Sequence, residues 1–152
     1  MSNKYLRLAI ATVVIVVAAV AIIVLATRGP DLADDATTAC VDATDRDSGI
    51  RVTLVTVWNG TPEFLPAGVG VSNTCIRPVH TFDDSSYVYI VGEKSYTVGD
   101  FFDVWPDSPA TRPNATVENV SLNGQRYEDN YRDIVLQDED RIVVAFGDRT
   151  PQ

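Results

Sequence analysis

One histidine, His80, and two cysteines, Cys40 and Cys75, are all the imidazole and thiol that this chain contains. That excludes a zinc site built from several imidazoles, and it leaves a cysteine nucleophile with one histidine to serve as its base. Lysine is equally scarce, with Lys4 and Lys94 the only two. The chain has no phosphate-cradling glycine loop, no G-x-S-x-G, no H-E-x-x-H and no dinucleotide fingerprint. The acids are so numerous, 21 in all, that composition alone explains any pair of them, and no catalytic carboxylates can be nominated. These absences point away from an enzyme.

The strongest feature present is the uncharged run Leu8–Ala26, LAIATVVIVVAAVAIIVLA. As a helix its nineteen residues span roughly 28 Å, close to the ~30 Å hydrocarbon core of a bilayer. In lipid the backbone must bond to itself, so a single apolar segment of this kind is expected to be helical despite its many β-branched residues. Lys4 and Arg7 precede the run, while Arg28 and then Asp31, Asp34 and Asp35 follow it, a bias that places the N-terminus in the cytoplasm and the rest outside. A cleaved signal peptide is the competing reading; its apolar region would be shorter, and Val24-Leu25-Ala26 is a poor cleavage site. Either way the remainder is exported. The expected organisation is a cytoplasmic tag over 1–7, a transmembrane helix over 8–26 and an acidic stalk over 27–48. An extracytoplasmic domain over 49–148 and a tail over 149–152 complete it.

From residue 29 onward nine cations face 21 acids, a net charge of −12 against −9 for the whole chain. Such a surface stays hydrated in concentrated salt, where the screening length falls to about 3 Å at 1 M. Adaptation to molar salt is the reading adopted, with an ordinary acidic secreted domain as its alternative. A surface of this sign repels phosphate backbones, which excludes nucleic acid as a partner.

Beyond Gly49 the apolar period becomes two. Ile50, Val52, Leu54 and Thr56 alternate with their neighbours as a half-buried strand does, and Asn59-Gly60 supplies a tight hairpin turn into Thr61–Leu65. Further strands are predicted over Ile76–His80, Tyr87–Val91, Thr116–Leu122 and Asp140–Phe146, with a second turn at Asn123-Gly124. Phe101, Val104 and Trp105 fall on one face of a short helix, with Asp100 as its expected N-cap. The fold class is therefore mainly β (α+β), one compact β-rich domain carrying one short helix.

An even pair of cysteines in an exported domain is most simply a disulfide, here Cys40–Cys75, with free thiols as the alternative. Three N-x-S/T sequons occur: Asn114 in a loop is the leading glycosylation acceptor, Asn59 in a tight turn comes second, and Asn119 within a strand is the poorest. His80 with Asp83 or Asp84 would make a mixed metal site at a strand-to-turn junction; the plainer reading is that His80 ends the strand and the aspartates form the turn. Asp42, Asp45 and Asp47 lack the EF-hand spacing. Asp138-Glu139-Asp140 reads as a hairpin turn.

His80-Thr81-Phe82-Asp83, Val98-Gly99-Asp100-Phe101-Phe102-Asp103-Val104-Trp105 and Leu122-Asn123-Gly124, preceded by Pro66-Ala67-Gly68-Val69-Gly70, together resemble an uncharacterised family of short exported or membrane-anchored prokaryotic proteins. Its pattern reads P-A-G-x-G, H-T-H-D-x-S-G-x-x-H, L-G-x-F-F-x-x-W and V-N-G, and the resemblance covers residues 50–147. It implies that the scaffold is kept, and with the acidic, lysine-poor composition the chain reads as a haloarchaeal member. The family's three histidines imply a metal or polar-ligand site. Here His80 holds the first position and Asp83 the acid, whereas Phe82 and Tyr89 replace the second and third histidines and Ser86 the glycine.

The functional expectation is a non-catalytic interaction or accessory module at the cell surface, anchored through residues 8–26 and meeting a protein partner there. The alternative is a membrane-tethered metal-binding protein with an eroded site of His80, Asp83 and Tyr89 holding a divalent metal weakly. No other cofactor is expected.

Overall fold

The computed structural model describes residues 36–42 and 49–149. The apolar run Leu8–Ala26 and most of the expected stalk lie outside the described residues. Among the described residues no helix is long and apolar enough to cross a membrane.

Seven strands form one sheet: β1 (Ile50–Trp58), β2 (Thr61–Glu63), β3 (Val79–His80), β4 (Tyr87–Ile90), β5 (Ala115–Leu122), β6 (Gln125–Arg126) and β7 (Arg141–Asp148). Their order is β3-β4-β1-β7-β5-β6, with β2 paired to the far end of β1. β1 and β7 run parallel in the middle, Thr53 opposite Arg141 through Trp58 opposite Phe146, and the other pairings are antiparallel. The mainly β reading with one short helix holds. That helix, α1 (Val98–Val104), crosses one face of the sheet.

The period of two in β1 does what it predicts. Val52, Leu54 and Thr56 point inward and are fully buried, as are Ile142, Val144 and Phe146 of β7 and Val88 and Ile90 of β4. Onto this face α1 lays Phe101, Phe102 and Trp105. The rings interlock: Phe102 meets Phe146 edge-on at 5.8 Å between centroids, and Tyr131 meets both at 5.7 and 5.9 Å. Edge-to-face contacts of this kind add about 0.5–1.5 kcal/mol each beyond the area they bury.

Two expected local features come out differently. Asp100 is not the N-cap of α1. Thr97 holds that place, accepting from the Asp100 amide at 3.2 Å, and the Asp100 carboxylate accepts from the Thr97 amide at 2.7 Å. This reciprocal capping box extends the helix three residues upstream. The strand expected over Ile76–His80 shrinks to Val79–His80, because Ile76 forms bridges with Val41 and Val71 instead. Both Asn-Gly pairs adopt the left-handed φ angles of a tight hairpin turn, 47° and 78° at Asn59-Gly60 and 54° and 80° at Asn123-Gly124. Gly70, at φ 72°, is also irreplaceable sterically, since a Cβ there would lie 2.8 Å from the Val79 carbonyl oxygen.

Residues 36–42, expected as stalk, lie against the domain. Cys40 and Cys75 form the disulfide, the Val41 amide donates to the Ile76 carbonyl at 2.8 Å, and Ala36 is buried in the core. Arg77 reinforces the clip by donating to the Ala39 carbonyl at 3.1 Å. At the opposite end of β1, Arg112 makes a two-pronged pair with Glu63 at 2.9 and 2.8 Å and stacks 4.5 Å from the Trp58 ring centre, riveting the β1–β2 hairpin to the loop before β5.

With its cysteines 35 positions apart, the disulfide constrains the unfolded chain by about 4 kcal/mol on the chain-entropy estimate. The Cys40→Ser/Cys75→Ser variant is expected to lose about 3–4 kcal/mol in urea titration. A loss under about 1 kcal/mol would show that the clip does little beyond local ordering.

Candidate functional site

The face opposite α1 carries no helical cover among the described residues. Cross-strand pairs share a face, so register alone builds a row on it: His80 of β3 lies opposite Tyr89 of β4, and Tyr89 lies opposite Arg51 of β1. The next row is Tyr87, Thr53 and Arg141. Neither row is apolar, which is why these strands read as alternating.

At the edge of the sheet three side chains converge. The His80 ring is fully buried, meets Phe82 edge-on at 4.5 Å and lies nearly parallel to Tyr89 at 6.0 Å; Phe82 and Tyr89 are 5.0 Å apart. His80 Nδ1 lies 2.8 Å from the Arg77 carbonyl oxygen, an acceptor only, so Nδ1 carries a proton and donates it there. Three imidazoles around one zinc ion, each at about 2.1 Å, would have ring centres about 5 Å apart, close to the spacing found.

Asp83 stands elsewhere. It is exposed and accepts hydrogen bonds from the hydroxyl and backbone amide of Ser85. Those two bonds, the hydroxyl first, hold its carboxyl below the usual aspartate value. It serves the turn, as the plainer reading has it. Among the described residues no group of three or more His, Cys, Asp and Glu side chains is placed to hold a metal ion.

Thr81 went unnoticed in the sequence. Fully buried, it donates from Oγ1 to the Pro66 carbonyl at 2.7 Å and accepts there from the Val69 amide at 3.0 Å, while its backbone pairs with Gly68 and Val69. It fastens the Pro66–Gly70 turn to the His80–Phe82 segment. A buried Thr flanked by a buried His and a half-buried Phe is the only local sign of this, and β propensity alone accounts for it.

Beside the aromatic cluster, and sharing Tyr89 with it, a cleft of 390 Å³ opens between Arg51, Thr53, Tyr87, Tyr89, Asp138 and Glu139. Arg51 lies with its guanidinium 4.5 Å from the Tyr87 ring centre. Its backbone is pinned on both sides, the amide donating to Asp138 Oδ1 at 3.0 Å and the carbonyl accepting from the Glu139 amide at 2.9 Å. Glu139 reaches that position with φ at 64°, unusual for a residue with a side chain. Residues 138–140 do form a turn, the Asp140 amide donating to the Gln137 carbonyl at 3.1 Å, but it is not a hairpin, because β7, which follows, runs parallel to β1.

Of the glycosylation candidates, Asn114 is exposed at φ 61°. Asn59 is engaged at both ends of its amide, donating to Asp148 Oδ2 at 3.0 Å and accepting from the Asp148 amide at 3.1 Å. Asn119 is exposed on β5 beside its bulge.

No protein-family model, curated protein or solved structure matches this chain.

Two outcomes follow from this geometry. Thr81→Val, which keeps shape but removes two buried hydrogen bonds, is expected to cost about 2 kcal/mol by denaturant titration. The Phe82→His/Tyr89→His variant, in the full-length protein, is expected to retain one equivalent of zinc after dialysis, and His80→Ala in that background abolishes it. A folded double variant holding no zinc would show that the three positions are not close enough to act together.

Proposed function

We propose that this chain is a single-pass, membrane-anchored extracytoplasmic module that binds a partner and catalyses nothing, with its N-terminus in the cytoplasm and the β domain outside. The observation that carries the binding reading is the one-sided sheet. Its inner face is closed by aromatic packing, while its outer face carries exposed Arg51 and half-buried Thr53, Tyr87 and Tyr89 around a cleft. A closed scaffold needs no such face for stability. Export is supported by the Leu8–Ala26 run and by the disulfide, which persists in oxidising compartments. The charge of −9 supports a saline habitat.

A membrane-tethered metal-binding protein is the second reading. The convergence of positions 80, 82 and 89 favours it, and Phe82 and Tyr89 at two of those positions weigh against it.

A photo-activated cross-linking residue at Thr53 or Val143, on the open face, is expected to capture a cell-surface partner in the native envelope. The same residue at the exposed Phe64 or Val135 is expected not to. Protease added to intact cells is expected to remove the domain. Equal capture from all four positions, or none from the open face, would reject the binding reading, and protection from external protease would reject the orientation.

A further inference from the structure

The two Asn-Gly pairs stand at the two ends of β7, and their side chains are held there in the same way. Asn59, leaving β1, donates its main-chain amide to the Phe146 carbonyl at 2.9 Å. Its side-chain Oδ1 accepts from the Asp148 amide at 3.1 Å, and its Nδ2 donates to Asp148 Oδ2 at 3.0 Å. Asn123, leaving β5, repeats the arrangement at the start of β7. Its amide donates to the Arg141 carbonyl at 2.8 Å, its Oδ1 accepts from the Arg141 amide at 2.8 Å, and its Nδ2 donates to Asp140 Oδ1 at 2.8 Å. In both places the side-chain oxygen takes the rung that the main chain abandons as it turns at positive φ.

A tight hairpin turn asks only that its Asn tolerate positive φ; it does not require a carboxamide fixed at both ends. The clamps bear on what an Asn-Gly pair does by itself in water. The glycine nitrogen, unshielded by any side chain, attacks the preceding Asn Cγ and closes a five-membered imide. The Cγ–Nδ2 bond breaks, and ammonia leaves with the proton that the glycine nitrogen gives up. Water then opens the imide at one carbonyl or the other, leaving aspartate or isoaspartate. The attack needs the carboxamide to swing over its own following peptide, whereas here both of its ends are tied to β7 and its approach. We propose that Asn59 and Asn123 are modification sites gated by the fold, closed to deamidation while clamped and open once the domain unfolds.

The product cannot restore the clamp. An aspartate at 59 or 123 sets a carboxylate against Asp148 or Asp140 where a donor stood, and isoaspartate adds a backbone atom to a two-residue turn whose length sets the strand register. β7 pairs with both β1 and β5, so a chain modified while unfolded returns to a weaker sheet. Asp140 is buried and Asp148 exposed, so the Asn123 clamp is the better protected.

The test incubates the full-length protein in detergent at mildly alkaline pH, with and without concentrated guanidinium chloride, and follows each Asn-Gly peptide by mass spectrometry. In denaturant both sites are expected to convert at similar rates. In the folded protein both are expected to convert at least tenfold more slowly, Asn123 the slower of the two. Asp148→Ala takes one bond from the Asn59 clamp alone and is expected to speed conversion there at least threefold, with Asn123 unchanged. Folded and unfolded rates within threefold of each other would overturn the proposal. So would an Asp148→Ala protein in which Asn59 stays as slow as before, or in which both sites accelerate together, since protection would then come from overall stability rather than from the clamps.

Discussion

The domain depends on a parallel pair, β1 against β7, placed at the centre of an otherwise antiparallel sheet. Parallel neighbours cannot be joined by a tight turn, so everything between Trp58 and Arg141 must act as the crossover. The chain uses that long excursion to make its other parts. It pairs β2 and β4 with the free edge of β1, lays α1 over one face, and returns through β5 to pair with β7 from the far side. Because the crossover helix and the two short 3-10 turns, Pro109–Thr111 and Tyr131–Asp133, pack on the same face, the core is one-sided. Phe102, Tyr131 and Phe146 meeting edge to face are the seam that closes it.

One-sidedness then dictates the chemistry of the other face. Strands buried on both sides are apolar at nearly every position, whereas these alternate where β4 pairs with β1, and the open side there carries Arg, Thr and Tyr, with half-buried Val55, Val57, Val143 and Ala145 along the rest. Register aligns them into rows without any further device. His80 is the exception, being fully buried at the edge, where Phe82 and Tyr89 pack against it. The Cys40–Cys75 clip acts on the approach to β3, and the Arg112–Glu63–Trp58 rivet ties the β1–β2 hairpin to the loop before β5.

Much of this was legible in the sequence because it is local. The period of two in Ile50–Val57, both Asn-Gly turns and the helix face of Phe101 and Trp105 all declare themselves within a few residues, and the cysteine pair is legible because the chain has no other cysteines. What was not legible is pairing at a distance. The parallel match of β1 and β7 depends on how the intervening chain packs, and Ile76 leaves its predicted strand because Val41, brought in by the disulfide, offers it a partner. Asp100 reads as a cap on propensity alone, yet Thr97 takes the cap once Val98 and Gly99 bury against the core. At the candidate site, His80 and Tyr89 could be named but not joined, since their contact comes from strand register. Arg51, Asp138 and Glu139 carried no signal at all, being ordinary charges in a chain full of them.

The aromatic cluster and the cleft bear on each other through Tyr89, which belongs to both. Phe82 and Tyr89 put apolar ring surface beside His80 at the edge of the face that no helix among the described residues covers. In the saline habitat proposed for this protein, Coulomb forces between exposed groups fade within about 3 Å at 1 M salt, so long-range charge cannot guide a ligand. Stacking and short hydrogen bonds keep their strength there. The ring contacts of Tyr89 with His80 and Phe82 and the stacking of Arg51 on Tyr87 are of that kind, so this face keeps its arrangement in salt that screens the charges around it.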